Sequence, residues 1–339
     1  MTDITKEILE QTEYDFLREN PHLGDRIIML GLAGSYSYGT NNDDSDVDIR
    51  GVALNSREDL LGFGKFEQYV DHETDTVIYS FNKLIGLLTN CNPNTIELLG
   101  MKPEHYLYLS DIGRELIDKR HLFLTKRAIH AFGGYADAQL RRLQNALARD
   151  RLSQPDREKH IYNSVRSAMY SFNDRYSDFD GGSVSIYIDD AVNPGLDKEI
   201  FVDTNLKHYP LRDYAGMWAD MSNVVREYSK IGNRNKKKDD NHLNKHAMHL
   251  VRLLLTGIDI LEKGEIITYR ENDLDLLRSI RGGYYQNPDG TYKDEFFDIV
   301  ETLEKKLHKA AEETMLPDEP DNAAIEAFVM SVNERSLDI

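Results

Sequence analysis

Cysteine is nearly absent: Cys91 is the single one in 339 residues. A lone thiol forms no internal disulfide and cannot supply a cysteine-rich zinc site, which fits a reducing compartment and a cytoplasmic location. Long apolar runs are missing as well. The longest patches, 27–33 and 250–260, fall short of the roughly 18 residues that a bilayer span needs and are broken by glycine or charge, so no membrane helix is expected. Residues 1–17 are polar and acidic, without the basic start and apolar run of a signal peptide, and export by that route is not expected. Positive charge is in deficit, with 41 Lys and Arg against 59 Asp and Glu, a formal charge of −18. A field of that sign repels polyanions; bulk non-specific DNA binding is not expected, and a nucleic-acid or triphosphate contact must use a local basic patch or bound cations. No repeat or low-complexity tract stands out, although the polar, charged stretch 233–244 reads as a mobile loop.

What is present suffices for packed cores: 40% hydrophobic residues, 12 Phe and 19 Tyr. The length exceeds the usual single-core range of roughly 100–200 residues and favours two domains. Apolar spacing predicts one opening helix over 3–19, stopped by Asn20-Pro21. Ile27 to Leu30 read as a short strand buried on both faces, 47–54 as a second strand, and 68–80 as a third element or hairpin. After Leu109 the pattern is mainly helical, at 112–117, 126–152, 157–172, 214–229, 245–262, 273–281 and 295–314. The β-rich stretch 182–210 interrupts it and reads as a hairpin or decorated insertion. The expected organisation is α/β plus α: a sheet domain over 1–125 and a helical domain over 126–339 carrying the insertion.

The chemistry concentrates in Gly34-Ser35-x-x-x-Gly39-Thr40, followed after 41–44 by Ser45-Asp46-Val47-Asp48. Alternation along a strand projects Asp46 and Asp48 from one face while Val47 and Ile49 enter a core. Two carboxylates so placed repel one another unless a cation sits between them. Such a pair suits Mg²⁺, which keeps waters and completes its shell with substrate phosphates. Gly34 permits close backbone approach, and Ser35 opens a turn or helix N-terminus whose free N–H groups attract anions. Together they read as a phosphate cradle, with Gly39, Thr40 and Ser45 counted among the nucleotide-binding positions.

This joint pattern of buried strand, Gly-Ser, short helix, Gly-Thr and Ser-Asp-x-Asp resembles the catalytic signature of the polymerase-β-like nucleotidyltransferase superfamily. Within it, the run Ser45-Asp46-Val47-Asp48-Ile49-Arg50-Gly51-Val52 and the motif Asn92-Pro93-Asn94-x-x-Glu97-Leu98-Leu99 are similar to an RNA-ligase-associated branch. The run Lys245-His246-x-x-His249-x-x-Arg252-Leu253 and Gly264-Glu265 are more weakly similar to it, and 182–210 has no counterpart there. The resemblance implies a mixed sheet with flanking helices, and a third carboxylate on a neighbouring strand. Asp75 is the choice for that role because it lies nearest the β-prone Val77-Ile78-Tyr79, with Asp71 and Glu73 as alternatives that a solvated turn would also explain.

Other features admit plain structural readings. Asn92-Pro93-Asn94 suits a loop and helix cap, with Glu97 complementing the helix dipole. Arg50 shares the strand face of Asp48 and either grounds a triphosphate or forms a salt bridge. Lys245, His249 and Arg252 fall at i, i+4 and i+7, a basic stripe that is a solvated face or a phosphate groove. Lys245→Ala with Arg252→Ala is then expected to leave stability almost unchanged. His246 and His249 lack the Glu and spacing of a zinc-protease helix, and the run Lys236-Lys237-Lys238 reads as solvent-exposed. The expected activity is Mg²⁺-dependent transfer of a nucleoside monophosphate from an NTP such as ATP to an acceptor hydroxyl. Two ions, with Mn²⁺ as a substitute, would be held by Asp46, Asp48 and Asp75. An RNA or tRNA end is the first expected acceptor, in RNA processing or repair. Modification of Tyr or Ser on a partner protein, in the manner of an antitoxin, and a non-catalytic nucleotide-sensing module are the alternatives. The sequence leaves the oligomeric state open.

Overall fold

Ile27–Leu32 is apolar at every position but Gly31 and buried along its length, and it forms β1, next to the centre of a five-stranded sheet. The computed structural model of the chain describes residues 6–42, 45–151, 153–163, 183–205, 210–232 and 240–338. Ahead of β1 come 3₁₀ turns at Lys6–Glu10 and Thr12–Tyr14 and the short helix α1, Phe16–Glu19. The single opening helix expected there is broken at Gln11, whose backbone is extended. Isolated helical periodicity is a weak constraint, and here Tyr14 and Leu17 turn instead onto the sheet core.

Helix α2, Gly34–Tyr38, follows β1 directly, and then β2, Ile49–Ala53; α3, Arg57–Leu61; β3, Gln68–Asp71; β4, Thr76–Ser80; α4, Phe81–Leu88; α5, Pro93–Ile96; β5, Tyr106–Leu109; and α6, Asp111–Asp118. The strand order is β3-β4-β2-β1-β5. β2 and β4 are parallel and the other neighbours antiparallel, so the sheet is mixed. Leu30, Leu32, Ile49, Ala53 and Ile78 share one buried cluster with Tyr14, Leu17 and Leu23. Alternation then assigns Arg50, Val52, Val77 and Tyr79 to the opposite face.

Helices dominate the remainder: α7, Ala128–Arg151; α8, 154–163; α9, Tyr214–Gly232; α10, Asp240–Lys263; α11, Leu274–Arg281; α12, Asp294–Glu313; and α13, Asn322–Ser336. The β-rich stretch is an antiparallel hairpin of β6, Ser183–Asp190, and β7, Lys198–Asn205. The architecture is thus a mixed N-terminal sheet with helices and a helical C-terminal region. Residues 240–244, expected to end a loop, open α10. The run Lys236-Lys237-Lys238 and the expected helix beyond 163 lie outside the described residues.

Contacts gather the chain into two compact units: Met1–Gln139, Asn244–Tyr285 and Tyr292–Ile339 in one, Leu140–Leu243 and Gln286–Thr291 in the other. This is not a cut at residue 125, because α10 to α13 belong to the unit that holds the sheet. Packing shows why. Gly257 of α10 lets Phe132 of α7 and Leu307 of α12 approach so closely that a Cβ there would lie 2.9 and 3.0 Å from them. The rings of Phe328 on α13 and Phe81 on α4 meet edge to face at 5.7 Å. In the second unit, the Gln154 side chain accepts from the backbone N–H groups of Asp197 and Lys198 and donates to Lys198 O, binding α8 to β7.

Candidate active site

At the end of β1 the pairing with β2 runs one step past the strands, as Ala33 N donates to Asp48 O at 2.8 Å. Gly34 then turns into α2 with φ +57. A Cβ on Gly34 would lie 1.9 Å from Asp48 Oδ2, so the Asp48 carboxylate rests directly over this backbone. Both the left-handed φ and the contact require glycine. Gly34→Ala is therefore expected to displace Asp48 and to cost about 1–3 kcal/mol of stability. Urea titration checks the cost, and equal NTP affinity in wild type and variant would remove Gly34 from the site.

Asp46 and Asp48 were expected within a strand. The strand begins at Ile49, and the two carboxylates stand on the chain leading into it. Asp46 is exposed and Asp48 half-buried. Burial pushes the Asp48 carboxyl above its ordinary value; Arg50 opposes the shift, Asp75 adds to it, Lys245 opposes it, and Asp46 adds to it. Four groups, from β2 and the segment entering it, the β3–β4 turn and α10, thus act on one carboxylate.

Asp75 closes the β3–β4 turn with φ +48, a left-handed conformation that Asp tolerates better than most residues. Its carbonyl accepts from Arg50 Nη1 at 2.6 Å and from Ile49 N at 3.4 Å, which binds this turn to the start of β2. The alternatives are placed differently. Asp71 Oδ1 accepts from Glu73 N, Thr74 N and Thr74 Oγ1, so Asp71 is committed to the turn and its carboxyl is held below the ordinary range by those bonds. Glu73 is exposed in the same turn.

Arg50 Nη2 lies 3.9 Å from Asp48 Oδ1 while Nη1 grips the Asp75 carbonyl, so the guanidinium bridges the two acidic positions. Ser35 lies within α2, and its carbonyl accepts from Thr40 N. Gly39 caps α2 with φ +78, and its carbonyl accepts from Nε and Nη2 of Arg278. Thr40 is 3% exposed, and its buried hydroxyl has no hydrogen-bond partner among the described residues. Ser45 and Asn42 exchange hydrogen bonds that close the loop ahead of Asp46.

The basic stripe on α10 does not form a continuous surface. Lys245 is exposed and reaches the field of Asp48. His249 and Arg252 turn inward. Burial, with Arg252 and Lys245 adding to it, pushes His249 well below its ordinary value, so the ring is neutral at pH 7. Arg252 is 5% exposed, ion-paired with Glu97 and stacked over the Tyr38 ring at 3.8 Å. Tyr38 Oη donates to Glu97 Oε2 at 2.8 Å and Thr268 Oγ1 to Glu97 O at 2.6 Å. The solvated-face and phosphate-groove readings both fail for Arg252, and the dipole-complement reading fails for Glu97. Tyr38 went unnoticed in the sequence; Glu97 carried a signal only through its motif.

Residues 4–172 match the RNA repair pathway DNA polymerase beta family. The chain belongs to the polymerase-β-like nucleotidyltransferases. No curated protein and no solved structure matches the chain. This family membership suggests nucleotidyltransferase activity in an RNA repair pathway. Among the described residues, no three His, Cys, Asp or Glu side chains converge into a ready-made metal cage. Among those same residues, no helix is long and apolar enough to cross a membrane.

Proposed function

We propose that the chain transfers a nucleoside monophosphate from an NTP to a hydroxyl of an RNA end, using Asp46, Asp48 and Asp75 around Gly34. One observation carries this reading: Asp48 lies against the Gly34 backbone, in the combined field of Asp46 and Asp75. Arg50 and Lys245 offset part of that like charge, and a bound cation would relieve the rest. The donors are hard carboxylate oxygens suited to Mg²⁺ or Mn²⁺, and Mg²⁺ is commonly held by one or two carboxylates plus substrate phosphates, so no closed cage is required. When bound, such ions lower the pKa of the acceptor hydroxyl and offset charge on the reacting phosphate.

The chain's own residues contribute position and charge. Gly34 leaves room for the Asp48 carboxylate to lie against the start of α2, Lys245 supplies a solvent-facing cation near Asp48, and Arg50 holds the Asp75 turn in place. The acceptor oxygen forms its bond to the α-phosphorus as the bond to pyrophosphate breaks. The hydroxyl proton leaves to solvent, and no protein nucleophile is needed.

Incubation with each labelled NTP, Mg²⁺, and total RNA or total protein tests this reading. Label in the RNA pool, lost in Asp48→Asn, is expected. Label confined to protein would replace the acceptor with a Tyr or Ser hydroxyl, a reading that the −18 charge favours. No label in any pool would leave a nucleotide-sensing module. Lys245→Ala is expected to weaken binding of a single-stranded RNA acceptor and to lower the log–log salt slope of that binding by about 0.7–0.9. An unchanged slope would make Lys245 a plain surface lysine.

A further inference from the structure

Helix α2 begins at Gly34 and is capped by Gly39, and its five residues span only about 7.5 Å. A single turn of this length does not hold itself in place, because nucleating a helix costs more than its first hydrogen bonds return. Its direction is therefore set by what grips its ends. At the N-terminal end the Asp48 carboxylate lies on the Gly34 backbone. At the other end Gly39 N donates to Tyr36 O at 3.2 Å and Thr40 N to Ser35 O at 2.9 Å, and the left-handed Gly39 finishes the turn.

That closure leaves the Gly39 carbonyl without a place in the helix ladder, and α11 takes it. Nε and Nη2 of Arg278 donate to this one oxygen at 3.1 and 2.8 Å. Leu277 and Ile280 are the buried side of α11, whereas Arg278 is exposed and could have given all its donors to water. Leu274, one turn earlier on the same helix, fills the space beside Gly39. A Cβ on that glycine would lie 2.8 Å from Leu274 Cδ2 and 2.6 Å from Tyr269 Cε2. The missing Cβ thus lets α11 close on the end of α2, and a charge-assisted pair of hydrogen bonds holds it there.

We propose that Arg278 is a positioning residue for nucleotidyl transfer: by fixing the Gly39 end of α2 it fixes where Gly34 stands, and with Gly34 the Asp48 carboxylate that rests on it. The inference rests on the nucleotidyl-transfer reading and extends it to a side chain outside the acidic centre. A misplacement of about 1 Å at the reacting groups costs on the order of 10²-fold in rate. Contacts that bind NTP and RNA equally in the ground and transition states are untouched by it, so the loss falls on kcat and not on KM.

Steady-state transfer by the full chain, with wild type, Arg278→Ala and Arg278→Lys each well below its melting temperature, tests the proposal. Arg278→Ala is expected to lower kcat by about 10- to 100-fold, with KM for NTP and for RNA within about 2-fold of wild type. Arg278→Lys keeps the charge and one donor but not the fork, and should fall between the two. Titration with Mn²⁺ alone gives a readout apart from activity: because Asp48 moves with Gly34, Arg278→Ala should bind the metal about 10-fold more weakly. An unchanged kcat, even beside a lower melting temperature, would make Arg278 a cap of α2 and nothing more. A raised KM for RNA at unchanged kcat would make it an acceptor contact, and a lowered kcat at unchanged Mn²⁺ affinity would place its effect away from Asp48; each of these three results overturns the proposal. Should Arg278→Ala not fold, wild-type kcat in Arg278→Lys would overturn it as well. No transfer by wild type to any acceptor would instead overturn the underlying reading, and the positioning role with it.

Discussion

Asp48→Asn is expected to reduce nucleotidyl transfer by about 10³-fold or more and, in metal-free buffer, to raise the melting temperature. The first effect follows from losing a charged ligand for a cation whose contribution to the transition state is several kcal/mol. The second follows from the sign of the Asp48 shift. The folded carboxyl titrates above its unfolded value, first because it is buried and then because Asp75 and Asp46 outlie it with the same charge. A raised carboxyl pKa means that the ionised form disfavours the fold. That penalty is fully present above the folded pKa and fades as the pH falls through it toward the unfolded value. The stabilisation by Asp48→Asn should accordingly be largest near neutral pH and disappear in acid. Adding Mg²⁺ should raise the melting temperature of wild type more than that of the variant. A variant that melts lower than wild type at pH 7 without metal, or one that retains wild-type transfer, would remove Asp48 from the metal site.

The elements that position this centre were legible because each has a local cause. β1 is apolar on both faces and is followed by Ala33-Gly34, which makes a buried strand followed by a turn the economical reading. Val77, Ile78 and Tyr79 are β-branched or aromatic and lie in β4. Asp46 and Asp48 could be singled out because Gly34-Ser35 precedes them at a fixed spacing. What was illegible is non-local. The position of the Asp75 turn depends on Arg50, whose guanidinium bonds a carbonyl 25 residues away, and the local pattern separates Asp75 from Asp71 and Glu73 only by its nearness to Val77-Ile78-Tyr79. The helical spacing of Lys245, His249 and Arg252 is the same whether those side chains meet water or protein. The partner of Arg252 lies 155 positions earlier in the chain, so periodicity alone cannot show that the stripe turns inward after its first residue. The break in the opening helix has the same character, since it is imposed by the sheet on which Tyr14 and Leu17 pack.

Arg252→Ala is expected to destabilise the sheet-bearing unit by about 3–5 kcal/mol, the usual cost of removing one partner from a buried ion pair. The side chains of Arg252 and Glu97 are 6% and 7% exposed, so truncation leaves a carboxylate that water reaches poorly. Tyr38 Oη donates to that carboxylate, and its ring loses the guanidinium stacked on it. Because Tyr38 is the last residue of α2, the disturbance reaches the helix that begins at Gly34. The pair is expensive to break and inexpensive to replace: Glu97→Met with Arg252→Met should recover most of the lost stability, since both charges leave together and comparable volume remains. Lys245→Ala, one face of the same helix but in solvent, should stay within about 0.5 kcal/mol of wild type. Urea titrations of these three variants separate the possibilities. A cost below about 1 kcal/mol for Arg252→Ala would return Arg252 to the solvent-facing stripe. A double variant no better than Arg252→Ala would mean that the ion pair itself, and not the stranded carboxylate, holds α2 and α10 together.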